Sequence, residues 1–270
     1  MIITLKDGSK KEYKKPMSVF EIASDISENL ARLACAGEIN GELVDLRTVI
    51  NHDCHLTILT FHDAGGKDTF RHTTSHIMAQ AIKRLYPKTK LAIGPSITDG
   101  FYYDVDCETP FINEDLIKIE AEMKKIVKEA LPIIRFTKSR DEAIAFMKER
   151  EEPYKVELIE ELPENAVIQF YQQGEFIDLC AGPHLMNTKS INAFKLTNLA
   201  GAYWKGNEKN KMLTRIYGTS FTKKADLDDI YTVRKKLKKE IIENWAKNWA
   251  CLCSGKKVRA FHFSFPMAWY

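Results

Sequence analysis

The first sixty residues constrain the fold most, because strand and turn signals follow one another there around a single well-capped helix. Ile2 to Leu5 is a short apolar strand, Lys6-Asp7-Gly8-Ser9 a hairpin turn, and Lys10 to Lys15 a return strand. Ser18 followed by Glu21 has capping-box spacing and opens a helix at Val19. Ala31 to Cys35 and Glu42 to Val44 read as strands about the Asn40-Gly41 turn, and His55 to Thr60 as a closing β-branched strand. So many strands around one helix, in so short a span, predict a ubiquitin-like β-grasp over residues 1–62.

The segment His62 to Lys67 reads as a hinge, and residues 63–225 as a second domain. Its expected helices run from Asp68 to Tyr86, from Asn113 to Ala130 and from Arg140 to Glu149. Leu91 to Asp106 reads as β structure, and Tyr154 to Leu158, Val167 to Tyr171, Phe176 to Leu179 and Leu213 to Tyr217 as strands. No regular βαβ rhythm appears, so the class expected is α+β.

No apolar run is long enough to cross a bilayer, and the start is not a signal peptide, so a cytoplasmic protein is expected. The six cysteines are scattered, which argues against a disulfide framework. The net charge of +3 is uneven: residues 230–270 hold nine Lys/Arg against two Glu, leaving 31 basic and 35 acidic residues before them. Any nucleic-acid contact by the first 229 residues must therefore use local patches instead of a general field.

Two spacings carry chemistry: His72-Thr73-Thr74-Ser75-His76 and Cys180-Ala181-Gly182-Pro183-His184. On a helix the first pair shares one face, with Cβ atoms about 5–6 Å apart. Gly182-Pro183 places the second pair on a turn. Imidazoles and a thiolate are the donors zinc prefers, yet each spacing arises by chance often enough that neither stands alone.

The residues around them supply context. Arg71 to Ala81 resembles the first editing motif of threonyl- and alanyl-tRNA synthetases, and Gly174 to His184 the second in its threonyl form. Ile93-Gly94-Pro95, Asp99 to Asp104, Glu152 to Ile159, Gly201 to Gly206 and Leu213 to Gly218 are similar to the same domain. The resemblance covers about Met1 to Asp229 of the bacterial-type threonyl-tRNA synthetase family, and its β-grasp part resembles the TGS domain.

That resemblance implies hydrolysis of serine from threonine's tRNA, with tRNA as partner and neither DNA nor membrane. His72, His76 and His184 would orient the tRNA terminus and the attacking water. Lys155 would stabilise negative charge or position water, and Asp178 would hold the substrate amino group or a histidine. Tyr103, with Gly94 and Pro95, would line the substrate pocket, and Cys180 would be pocket wall or water contact. Plainer readings make Asp178 a turn residue, Tyr103 a sheet aromatic and Lys155 a solvated strand-edge lysine. The alanyl relatives bind zinc with this constellation and the threonyl ones work without it. No cofactor is therefore expected here, and zinc at His72, His76, Cys180 and His184 is the alternative. ATP and a zinc ion are implied only for an aminoacylation core that these residues do not resemble. The alternatives are a non-catalytic tRNA- or partner-binding remnant and a zinc-dependent trans-editing hydrolase.

After Asp229 the resemblance stops. Asn244-Trp245-Ala246 and Asn248-Trp249-Ala250 are encoded by AAY-TGG-GCN, whose letters regrouped from Y read Leu-Gly. The family linker helix carries two Leu-Gly pairs at the same interval. A frameshift near Asp229–Ile230 is therefore expected, giving residues 226–270 a linker helix and then an out-of-frame tail. An aromatic tail not selected for burial is expected to be disordered and aggregation-prone. The alternative is a basic-aromatic RNA-stacking arm.

Overall fold

The computed structural model describes residues 1–230 and, beyond them, residues 232, 233, 236, 240, 241 and 243. The expected tail lies almost wholly outside the described residues. Residues Met1–Lys224 form one compact unit; of the second, Ala225–Tyr270, residues 225–230 are helical.

The N-terminal part runs β1 (Ile2–Leu5), β2 (Lys10–Glu12), β3 (Met17–Ser18), α1 (Val19–Ile26), α2 (Glu28–Leu33), β4 (Ala34–Ile39), β5 (Glu42–Val44), β6 (Val49–Ile50) and β7 (Cys54–Thr60). The sheet order is β2-β1-β7-β4-β5, with β1 parallel to β7 and its other pairs antiparallel. This is the expected β-grasp. α1 starts where the capping box placed it: Glu21 N donates to Ser18 Oγ at 3.2 Å, and Ser18 N to Glu21 Oε2 at 2.7 Å. Val19 and Ile22 of α1 then pack on Ile3, Leu46 and Leu56, all fully or nearly fully buried. Gly37 of β4 makes the close approach possible, since a Cβ there would lie 2.7 Å from Val19.

The strand expected at Ala31 to Cys35 is corrected. Ser27 caps a second helix, accepting from Asn29 N at 3.2 Å and Leu30 N at 3.5 Å, and the strand begins only at Ala34. The expected hinge is also corrected. Gly65 and Gly66 form the first turn of α3 (Ala64–Leu85), where a Cβ on Gly66 would lie 2.0 Å from Thr60 O. Those glycines let the helix press against β7.

The chain continues through β8 (Lys90–Leu91), β9 (Ser96–Ile97), β10 (Gly100–Asp106), α4 (Asn113–Glu129), β11 (Ile133–Lys138), α5 (Arg140–Glu149), α6 (Pro153–Glu161), β12 (Ile168–Gln173), β13 (Phe176–Leu179), β14 (Ala193–Tyr203) and β15 (Met212–Phe221). One sheet has the order β14-β15-β10-β8, and a smaller one β11-β12-β13. From Thr73 to Ile82 every residue of α3 is buried, so this helix is a central strut instead of an amphipathic cover. Reciprocal amides pin it to β12: Gln173 Nε2 donates to Gln80 Oε1 at 2.8 Å, and Gln80 Nε2 to Gln173 O at 3.2 Å.

Tyr154 to Leu158, expected as a strand, belongs to α6. Pro153 sits in the first turn, where its missing N–H is harmless. Val156 and Ile159, one helical turn apart, bury against Ala143, Met147 and Phe170. No described helix is long and apolar enough to cross a membrane.

Candidate hydrolytic site

Two elements bring the histidines together. The buried strut α3 carries His72 and His76 one turn apart, with ring centroids 5.2 Å from each other. The segment after β13 returns through Gly182, whose φ of +74° and contact with Tyr171 leave no room for a side chain. The cis Gly182–Pro183 bond then delivers His184, whose ring lies 4.4 Å from His72 and 4.1 Å from His76. Cys180 Sγ is 3.4 Å from His72 Nε2 and 3.2 Å from His184 Nε2. One donor atom from each of these four residues lies within 4.8 Å of all the others.

A second cluster abuts the first. Lys155, on α6, is buried and reaches Asp178 Oδ1 at 2.6 Å and Tyr103 OH at 3.1 Å. Tyr103 OH donates to Asp178 Oδ2 at 2.5 Å, and that oxygen is 3.7 Å from His76 Nε2. The solvated strand-edge reading of Lys155 is thus replaced by a buried, ion-paired helical lysine. Asp178 lies inside β13 with 2% exposure, so it is not a turn residue. Gly94 lies flat on the Tyr103 ring, where a Cβ would approach to 2.1 Å. Its carbonyl is 2.6 Å from Ser75 Oγ, and that of Pro95 accepts from Tyr102 N at 3.3 Å.

Burial decides the protonation states. It pushes His72 down to about 4 and His76 to about 3, with Asp178 opposing the shift in both, and it takes His184 well below the ordinary value. All three imidazoles are neutral at pH 7. Burial drives the Cys180 thiol up to about 12, only partly offset by the Gly182 N–H, so the thiolate expected of a nucleophile is absent. For Asp178, burial alone would raise the carboxyl; the ammonium of Lys155 and the dipoles around it outweigh burial and hold it lowered. The site sets three neutral imidazoles and a neutral thiol beside one stabilised ion pair.

Sequence reasoning missed Thr73, although it lies within the first motif. Its hydroxyl donates to Thr69 O at 2.8 Å and accepts from Leu185 N at 3.0 Å. His184 Nδ1, 3.1 Å away, must then donate, which leaves Nε2 bare of a proton, 3.2 Å from Cys180 Sγ. Tyr171, packed with its ring centroid 4.4 Å from that of His184, was also missed, because nothing in strand periodicity marks it.

The arrangement can orient a water among neutral imidazoles and offer an ammonium to developing negative charge. A tetrahedral zinc requires donors about 3.3–3.8 Å apart. The sulfur–nitrogen pairs approach that range while the full set, spread over up to 4.8 Å, is wider. His72, His76, Cys180 and His184 are the residues that would hold the ion.

Comparison with known proteins agrees with this architecture. Residues 1–60 match the TGS domain, and residues 168–217, which include Asp178, Cys180 and His184, match the threonyl and alanyl tRNA synthetase second additional domain. A threonine--tRNA ligase of Acetivibrio thermocellus is 62% identical over 237 residues, covering 88% of this chain and 37% of that protein. Those of Clostridium novyi and Caldanaerobacter subterraneus subsp. tengcongensis are 56% and 58% identical over 264 and 239 residues. The chain spans about two fifths of the length of these relatives, or slightly less. With its TGS domain, its paired histidine segments and this similarity over nearly its whole described length, the chain matches the N-terminal region of bacterial threonine--tRNA ligases.

Proposed function

We propose that this chain hydrolyses the ester joining serine to threonine's tRNA. The observation that carries the reading is the convergence of His72, His76, Cys180 and His184 beside the Lys155–Asp178–Tyr103 cluster. The chemical need is general. One methyl group distinguishes threonine from serine and yields only ~1–3 kcal/mol in a binding pocket, so accurate charging requires a second, hydrolytic sieve. The bare Nε2 of His184 and the rings of His72 and His76 orient the water and the terminal ribose. Lys155 supplies positive charge near the carbonyl oxygen as it becomes anionic. Asp178 fixes Lys155 and Tyr103, and Cys180 forms the wall. The reaction calls for no cofactor, and the cytosol is its proposed setting. Ligation with ATP belongs to the part of the relatives this chain does not span.

The test is serine release from mischarged threonine tRNA by this chain and by His72→Ala and His76→Ala. A loss of at least ~100-fold in each variant is expected, since general-base and positioning groups contribute effects of this order. Equal rates would remove the catalytic assignment. tRNA binding with every ester left intact would favour the non-catalytic remnant.

The four-donor geometry favours one second reading, a zinc-dependent hydrolase. Stoichiometric zinc by elemental analysis, with activity lost to a chelator, would establish it over the metal-free mechanism. We also propose that the sequence beyond Asp229 is out of frame. The C. novyi match of 264 residues reaches into that stretch and runs against the idea. Sequencing the gene around those codons decides it: codons that cannot be regrouped into the family linker would end the proposal.

A further inference from the structure

His184 stands on a segment with no regular secondary structure, residues 180–185, so its own N–H and C=O have no helical or ladder partner. Such groups must nevertheless be paired. Their partners come from the β-grasp part, from the turn between β5 and β6. His184 N donates to Asp45 Oδ2 at 3.2 Å, and His184 O accepts from Arg47 Nη1 at 3.2 Å. Arg47 Nη2 donates to Leu185 O at 2.7 Å, and Arg47 Nε to Ile133 O at 2.9 Å. Asp45 accepts from Arg47 Nη1 at 2.9 Å and from Arg47 N at 2.8 Å, and its second oxygen accepts from Tyr171 OH at 3.0 Å. The ion pair is deeply placed, with side-chain exposures of 15% for Arg47 and 2% for Asp45.

Each end of the His184 peptide is therefore gripped by one member of an ion pair from the other part of the molecule. The ring is gripped separately by Thr73 of α3. A bare Nε2 is useful only at a fixed place: misplacement by about 1 Å, caused far from the reacting atoms, can cost on the order of 100-fold in rate. We propose that Asp45 and Arg47 are positioning residues for ester hydrolysis, so that the β-grasp part completes the site by holding His184 in register with His72 and His76. This rests on the hydrolytic reading above for its consequence in catalysis, but not for the clamp itself.

The experiment joins an activity-independent and a kinetic readout on the full chain. Asp45→Ala, Arg47→Ala and the conservative Asp45→Asn are compared with the parent by amide hydrogen exchange and by serine release from mischarged tRNA. In the alanine variants, exchange in peptides spanning residues 180–186 is expected to accelerate at least tenfold while β14 keeps its protection. The turnover number falls ~10–100-fold with KM changed less than twofold. Asp45→Asn, which retains an acceptor for His184 N–H, recovers most of the rate. Should an alanine variant unfold, the pair Asp45→Asn with Arg47→Met removes both charges together and carries the same measurements.

Unchanged exchange at 180–186 in a folded variant would overturn the clamp. Faster exchange there with an unchanged turnover number would reduce it to a structural staple and overturn the positioning role. A parent chain that releases no serine would instead sink the hydrolytic reading, and exchange alone would then judge the clamp.

Discussion

A thiol beside three imidazoles invites a nucleophilic assignment, and at the residue scale Cys180 is where that assignment fails. Burial raises its pKa to about 12, and no imidazolium is present to oppose this because the neighbouring rings are themselves held neutral. At pH 8 the thiol therefore stays almost wholly protonated, so a thiolate-selective reagent meets almost none of the reactive form. Iodoacetamide is expected to label Cys180 in the folded chain at least ~100-fold more slowly than after denaturation, as read by mass spectrometry of the peptide. Comparable rates in both states would return Cys180 to the list of nucleophiles. The sequence made the principal ring-bearing residues legible through spacing and resemblance. It could not show Thr73 fixing the His184 tautomer, because that needs a hydroxyl already committed to Thr69 O and a ring arriving from 111 residues away.

Elements were legible where local chemistry and tertiary placement agree. Ser18 and Glu21 closed their capping box, and Phe176 to Leu179 formed the strand expected. Tyr154 to Leu158 misled because its alternation of polar and apolar residues fits a strand, whereas Pro153 and burial one helical turn apart select a helix. The 11-residue β14 was missed because its Asn, Gly and three Ala have weak strand preference; it is held by pairing along β15 across a bulge at Leu196/Asn198.

The end of α3 shows what ties such elements together. Arg84 reaches Glu129 at 2.7 and 2.8 Å, Glu122 at 3.3 Å and Glu175 at 2.6 and 3.2 Å, joining α3 to α4 and to the β12–β13 hairpin. Hydrogen bonds from Arg84 hold the Glu175 carboxyl at about 2 against burial, below its ordinary 4.5. The folded pKa lies below the unfolded one, so as pH falls the unfolded chain takes up the proton first. The stabilisation is complete above about pH 4.5 and is lost as pH falls towards 2. Because the Glu175 side chain is 57% exposed, Glu175→Gln is expected to cost only about 0.5–1 kcal/mol at pH 7. Roughly half or more of that cost should be gone at pH 3. Urea unfolding at the two pH values reads it, and a cost independent of pH would assign the effect to shape instead of charge.

On the scale of the whole molecule, the α+β class and the β-grasp followed from patterns within short windows, while the way one part completes the other did not. Asp45 and Arg47 sit in a turn whose sequence, Asp-Leu-Arg, looks like any solvated connection, yet Arg47 donates to carbonyls 86 and 138 residues away. Such links make Met1–Lys224 one compact unit, which should therefore unfold as one. The remaining 46 residues hold Trp245, Trp249, Phe261, Phe263, Phe265, Trp269 and Tyr270, with nine of the chain's basic residues. If the sequence beyond Ile230 adds nothing to the fold, a chain ending at Ile230, which keeps the buried Leu227, holds its melting temperature within about 3 °C, equivalent to less than about 1 kcal/mol for a domain of this size. Exposed aromatic surface also drives self-association. The shortened chain should then stay monodisperse by light scattering at concentrations where the 270-residue chain forms larger species. A melting temperature lowered by 10 °C or more would show that the aromatic stretch is part of the folded core, which an out-of-frame origin would not provide.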